Sequence, residues 1–393
     1  MMGGTGATTF PQLGPDEQAH GHQVLAHLKD VIECGGGWIS FADYMQHTLY
    51  APGLGYYSAG ATKLGPTGDF VTAPEISELF APVIARVFGA VLGATGGGVL
   101  ELGAGTGRFA GAAIAALAAA HGLPARYDIL EVSADLQQRQ RQMIAHLAGA
   151  EASRAHWLTQ LPERLHGIIF ANEVLDALPT ERFVMRSGRP RRLGVSWKNA
   201  GVIWCERSGA IDANEAVVAQ RLGELSEMLP EGYVGECCLH LAPWIASLAD
   251  ALEEGAILLI DYGLPRSQLY HPQRMQGTLR CYFRHRAHED PFFHPGLCDI
   301  TAWVDFTAVA SAATCAGLEL FGFTTQAGFL LENDIESLLA DDMSDARRAR
   351  LAHGARQLLL PGEMGESVKV MALTRNFHAP LRGFSLQDLM SRL

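Results

Sequence analysis

Three groups of residues have the types and spacing to do chemistry. The string ELGAGTGR (101–108) ends an apolar run in Glu101 and follows it with Gly103, Gly105 and Gly107. Glycine is needed where backbone turns tightly and comes close to a ligand. A dinucleotide loop, G-x-G-x-x-G, seats a pyrophosphate on a helix N-terminus. Here the third glycine comes one residue early, and a carboxylate stands two places before the first. That carboxylate repels a pyrophosphate and attracts the α-amino group of a ligand such as S-adenosylmethionine, so a nicotinamide oxidoreductase is disfavoured. The alternative is a ligand-free turn, for which three glycines cost entropy without a return. Glu131 ends the next apolar run, ARYDILEV, as either a solvated strand end or an acceptor for two ribose hydroxyls. Asn172 and Glu173 end the third, GIIFANE, across the same cleft, near the adenine or the transferred methyl.

These residues need strand tips to stand on. Strands are predicted at 98–103, 125–132, 167–173, 256–263, 318–325 and 368–374, with helices at 107–121 and 134–149 between the first of them. Continuous apolar strands alternating with helices predict an α/β fold, a mostly parallel Rossmann-like sheet covered on both faces. Ligands of such sheets bind outside the C-terminal strand ends. Upstream, helices are expected over 16–34, over 40–50 with Ser40 as N-cap, and from Pro74 onward, separated by a Gly-rich segment at 51–72. Residues 181–207 read as strands joined by turns, and 264–299 are rich in Arg, His, Pro and aromatics. The expected organisation is a mobile tail (1–15), a helical and Gly-rich cap (16–97), a core (98–375) with insertions at about 181–235 and 264–300, and a C-terminal tail (376–393). Asp261, at the tip of its strand, is either an Asx turn or a substrate contact.

Composition removes several classes. Lys+Arg is 30 against Asp+Glu 42, a net charge of −12, so a nucleic-acid partner is disfavoured. The run Arg182, Arg186, Arg189, Arg191 and Arg192 reads as a solvated hairpin or protein-docking edge before an RNA site. With 48% apolar and 18% charged residues the chain can bury a large core. Seven cysteines with no C-x-x-C pair argue against a disulfide framework or zinc module, and His285, His288 and His294 match no ligand spacing, so no metal is expected. No stretch approaches the ~20 apolar residues of a membrane span. The N-terminal residues predict neither a signal peptide nor a mitochondrial presequence, which gives a cytoplasmic expectation.

The loop ELGAGTGR resembles motif I of class I S-adenosylmethionine-dependent methyltransferases. More widely, YAPGLGYYS, GPTGDFVTAPEISELF, FANEVLDALPTERF, IDYG, GTLRCYFRHRAHEDPFFHPGLCDITAWVDF and MGESVKVMAL are similar, in order, to the MidA-type family, over roughly residues 36–375. The resemblance implies a class I methyltransferase fold with an N-terminal helical extension and inserted β or lid segments, and S-adenosylmethionine as methyl donor. It also implies an arginine methyltransferase activity, which mitochondrial members direct at a respiratory complex I subunit. Other open readings are a methyltransferase for RNA or a small molecule, and a non-catalytic assembly factor that keeps the donor pocket. Tyr57 and Asp69, in GYYS and GDF, are implied to fold over the donor pocket, or else are a packed ring and a turn residue. Arginine is a weak nucleophile because its charge is delocalised and its pKa exceeds ~12. Paired carboxylates clamp it and bias that charge. Glu173 and Asp176 are the expected catalytic pair, on one face if a helical turn begins at 173; structural roles for both are the alternative.

Overall fold

The computed structural model describes residues 10–58, 72–339 and 343–393. Helix α1 (Pro15–Cys34) buries Val24, Leu28 and Ile32 and stops at glycines 35–37. Ser40 caps α2 (Phe41–Met45), whose chain continues into a π-helical turn, Gln46–Tyr50. The helix expected from Pro74 onward is broken. A short α3 (Ala73–Ile76) ends where Ser77 turns extended, and α4 (Phe80–Thr95) starts afresh.

The central sheet begins with β1 (Gly98–Leu102), α5 (Arg108–Ala119), β2 (Tyr127–Leu130), α6 (Ala134–Ala148), β3 (Ala155–Leu158) and β4 (Leu165–Asn172). A second sheet follows: β5 (Glu181–Arg186), β6 (Arg189–Lys198), β7 (Gly201–Glu206) and β8 (Val234–Cys237). The chain re-enters the central sheet with β9 (Leu252–Leu264). It leaves for the three-stranded β10 (Arg280–Phe283), β11 (Arg286–His288) and β12 (Asp299–Thr301), and returns through β13 (Val304–Asp305), β14 (Glu319–Thr325) and β15 (Val368–Arg375). The eight-stranded sheet runs β14-β15-β9-β4-β1-β2-β3, with β13 beside β9. Its strands from β3 to β9 are parallel, and β15 lies antiparallel between β9 and β14. The order reverses at β1 and β4, the point where such sheets open a crevice.

Alternation along each strand sorts the core into two layers. Val99, Ile168, Phe170, Leu258 and Val370 meet α4 and α5 on one face. Leu100, Ile169, Ala171, Leu259 and Met371 meet the helices Leu241–Ala251 and Phe306–Cys315 on the other. A third cluster joins α1 and α2 to Val195, Val202, Cys281 and Ile300 of the inserted strands. The residues after β15 fold back, with Phe377, Leu381 and Phe384 buried in the first layer. Among the described residues no helix is long and apolar enough to cross a membrane.

Candidate active site

A cavity of about 790 Å³ opens at the C-terminal ends of β1, β2 and β4, within the size range of small-ligand sites. Its wall includes Glu101, Gly103, Gly105, Glu131, Asn172, Glu173 and Tyr57. The sequence-predicted residues from three separate strand tips and the N-terminal segment therefore share one space. Gly103 has φ 66°, and a Cβ there would meet Val174 Cγ2 at 2.7 Å. Gly107 lies outside the wall. Its φ is 82°, and a Cβ would stand 2.8 Å from Gln140 Cα, so its role is to let α5 approach α6. Asp69 lies outside the described residues.

Glu101 is buried, and its Oε2 accepts a 2.6 Å hydrogen bond from the Tyr127 hydroxyl. Desolvation pushes its carboxyl up to about 8, against the lowering effect of that bond. A buried carboxylate with a neutral partner is a receptor for a cation. Glu131 is oriented by Ser133 N–H at 2.9 Å and Gln140 Nε2 at 3.2 Å. Burial raises its pKa. Beside it, Val132 is 77% exposed and lines the cavity, an apolar surface suited to an adenine ring. The only local signal for Val132 was its place directly after an acidic strand end.

Glu173 has φ 52°, a left-handed conformation that costs a non-glycine residue about 1–2 kcal/mol. Its Oε1 accepts from Ala73 N–H and Asn172 Nδ2, each at 3.1 Å. Burial pushes its carboxyl up to about 7. The helical turn expected from 173 does not form. Asp261 Oδ2 instead accepts the N–H groups of Val174, Leu175 and Asp176 at 3.0, 2.7 and 3.3 Å, and its Oδ1 accepts Tyr262 N–H at 2.7 Å. Asp261 is thus the organiser of the turn. Asp176 lies behind the cavity wall rather than in it. It is still close to the others electrostatically: burial, then Asp261, Asp299 and Glu173, raise its pKa. Burial and Glu173 also push Asp261 up, to about 7, against the backbone donors.

Two further residues brace the site; both lie within segments of the family resemblance but were not singled out as site residues. Asp299, from the inserted segment, accepts the Tyr57 hydroxyl at 2.8 Å, and Tyr57 stacks on Tyr50 with ring centres 5.5 Å apart. Tyr50 in turn donates to Ala177 O at 2.8 Å. Glu75 of α3 accepts Thr106 Oγ1 at 2.6 Å and Arg108 Nε at 2.8 Å, tying the N-terminal segment to the glycine loop. Among the described residues no group of three or more His, Cys, Asp or Glu is placed to hold a metal ion.

Comparison with known proteins agrees with this geometry. Over 98% of this chain and 100% of the other, the fold matches a Burkholderia thailandensis protein crystallised with S-adenosyl-homocysteine, at TM-score 0.93 and 41% identity. Among curated proteins, the chain is 29% identical to the mitochondrial protein arginine methyltransferase NDUFAF7 of Danio rerio, over 87% of this chain and 85% of that one. It is 26% identical to the Drosophila melanogaster homolog, over 94% and 90%. Residues 83–324 match the family model described as an S-adenosyl-L-methionine-dependent methyltransferase. A cavity at the sheet's switch point, walled by the glycine loop and by a buried acid, fits the nucleoside donor of that family, and the chain belongs to it: the MidA-like S-adenosyl-L-methionine-dependent methyltransferases.

Proposed function

We propose that this enzyme methylates an arginine side chain of a protein. The observation that carries the reading is a cluster of acids, Glu173 in the cavity wall with Asp176 and Asp261 buried behind it: the neighbouring charges acting on each of them are carboxylates. Burying like charges together is costly until a cation arrives. A guanidinium supplies that cation with several N–H donors in one plane. The names of the animal relatives support the same acceptor. The family resemblance adds a respiratory-complex subunit as the candidate protein, and the bacterial likeness supports a cytoplasmic location.

In this reading Glu101 holds the donor's ammonium, Glu131 its ribose hydroxyls, and Val132 its base. The donor supplies an electrophilic methyl group, whose transfer forms an N–CH₃ bond as an S–CH₃ bond breaks. Glu173 accepts hydrogen bonds from the guanidinium and holds one nitrogen in line. It takes the one proton that the methylated nitrogen must lose, so that the product leaves as a methylguanidinium with a single positive charge and the donor as a neutral thioether. Asp176 and Asp261 contribute negative potential and turn geometry from behind. Tyr57 closes the wall on the acceptor side, held in place by Asp299.

The test is incubation of the enzyme and methyl-labelled donor with protein extract from cells lacking the enzyme, followed by hydrolysis. Label is expected in methylated arginine. Label in lysine, in RNA or in a small molecule overturns the acceptor assignment.

Donor binding should also report on Glu101. A cation binds its ionised form, while the empty site holds it near 8. Binding of S-adenosyl-homocysteine is therefore expected to release close to one proton at pH 7, with affinity falling up to tenfold per unit as pH drops from 8 to 6. Calorimetry in buffers of different ionisation enthalpy measures that release. No proton release would remove Glu101 from the donor site.

A further inference from the structure

The donor-contacting elements come from different parts of the chain, and one side chain holds two of them together. Gln140 of α6 is fully buried. Its Nε2 donates to Gly105 O at 3.1 Å and to Glu131 Oε2 at 3.2 Å. Its Oε1 accepts the indole N–H of Trp157, on β3, at 2.8 Å. Both amide donors are thus spent on the glycine loop and the carboxylate that bound the donor cavity. The Trp157 bond fixes which end of the amide points toward them, because an indole can only donate. Gly107 permits the arrangement by leaving α5 close against the Gln140 backbone.

We propose that Gln140 is a positioning residue that sets donor affinity by locking Gly105 and Glu131 in one mutual geometry, with Trp157 fixing its amide. The inference rests on the assignment of Glu131 to the donor. It goes beyond packing, since a packing role needs only the volume of the side chain. The amide's hydrogen bonds are what orient Glu131 Oε2, leaving the remaining lone pairs of that carboxylate directed at a ligand.

Three variants of the full-length protein decide it, with S-adenosyl-homocysteine as the calorimetric probe and thermal melting recorded for each. Gln140→Met keeps the volume and removes the bonds. Gln140→Glu places acceptors against Gly105 O and Glu131. Trp157→Phe leaves Gln140 intact and frees its amide. Gln140→Glu is expected to weaken binding about 10- to 100-fold at pH 8. At pH 5.5 its deficit relative to wild type should shrink, because a protonated carboxyl regains a donor toward Glu131. A purely structural residue would show no such recovery. Gln140→Met should weaken binding about tenfold and Trp157→Phe by a few-fold. Trp157 is only partly buried, so Trp157→Phe reads out the proposal even if the Gln140 variants do not fold. Wild-type affinity in Trp157→Phe, or in a folded Gln140→Met, overturns the proposal. Glu131→Ala separates the two levels. If it too binds normally, the donor assignment of Glu131 fails; if it binds weakly while the others do not, only the role of Gln140 fails.

Discussion

Glu173→Gln is expected to bind S-adenosyl-homocysteine as tightly as wild type and to lose methyl transfer by roughly 10²- to 10⁴-fold. The amide oxygen can still accept from Ala73 N–H and Asn172 Nδ2, so the local turn survives. What is lost is the negative charge that holds a guanidinium and accepts its proton. Single-turnover rates and donor calorimetry on the same preparation measure the two halves separately. Wild-type transfer by this variant would remove Glu173 from the chemistry. The wild-type rate should fall below about pH 7, because the free carboxyl is held near 7 and only its ionised form serves.

The same substitution has a stability consequence of opposite sign. The folded-state pKa of Glu173 is raised above its ordinary value, so burial penalises the ionised form. The native state therefore loses stability as pH rises from about 4.5 through 7. A neutral isostere escapes that loss, which for a shift of this size is about 2–4 kcal/mol above pH 7. Glu173→Gln should melt higher than wild type at pH 8, and the difference should vanish below pH 4.5. A gain in stability alongside a loss of rate is the signature of an acid kept buried for function.

Gly107→Ala is the second large effect. A methyl group there would stand 2.8 Å from Gln140 Cα and 3.1 Å from Gln140 O, both backbone atoms that cannot rotate away. The left-handed φ of 82° adds about 1–2 kcal/mol of strain. The seam between α5 and α6 must open, and the glycine loop shifts with it. Donor affinity is expected to fall more than about 100-fold, with overpacking costing a further 1–3 kcal/mol of stability. Gly149→Ala is the control. Its φ is 57° but nothing lies within 4 Å of the new Cβ, so it should lose stability through backbone strain alone and no donor affinity. Calorimetry and melting on the pair distinguish contact from strain, and equal donor affinities in the two variants would sink the seam argument.

Much of the frame was legible in the sequence. The continuous apolar runs lie on the strands β1, β2, β4, β9, β14 and β15, because a strand buried on both faces has no polar alternation to confuse its reading. The loop after β1 was legible for a similar reason, since positive φ and close approach leave glycine as the residue that fits. Glu101, Glu131 and Glu173 could be marked because each ends an apolar run, and strand ends at a switch point converge on one crevice. Strands β3 and β8, and β10 to β13 in and after the inserted segment, were not read individually. None of them carries a continuous apolar run, and β3 is a partly exposed edge.

Local pattern alone failed where long-range contacts decide geometry. The turn after β4 is not helical because Asp261, far along the chain, captures three of its N–H groups. Asp299 reaches the site because an inserted sheet folds over it, and Gln140 because two helices approach closely enough for its amide to span two elements. Glycines and terminal acids follow from what each residue can do by itself, so the sequence determined the donor crevice and its kind of ligand. The pairing of acids, the orientation of carboxylates and their raised affinities for protons depend on burial and on neighbours distant in the chain, and only the tertiary structure decided those.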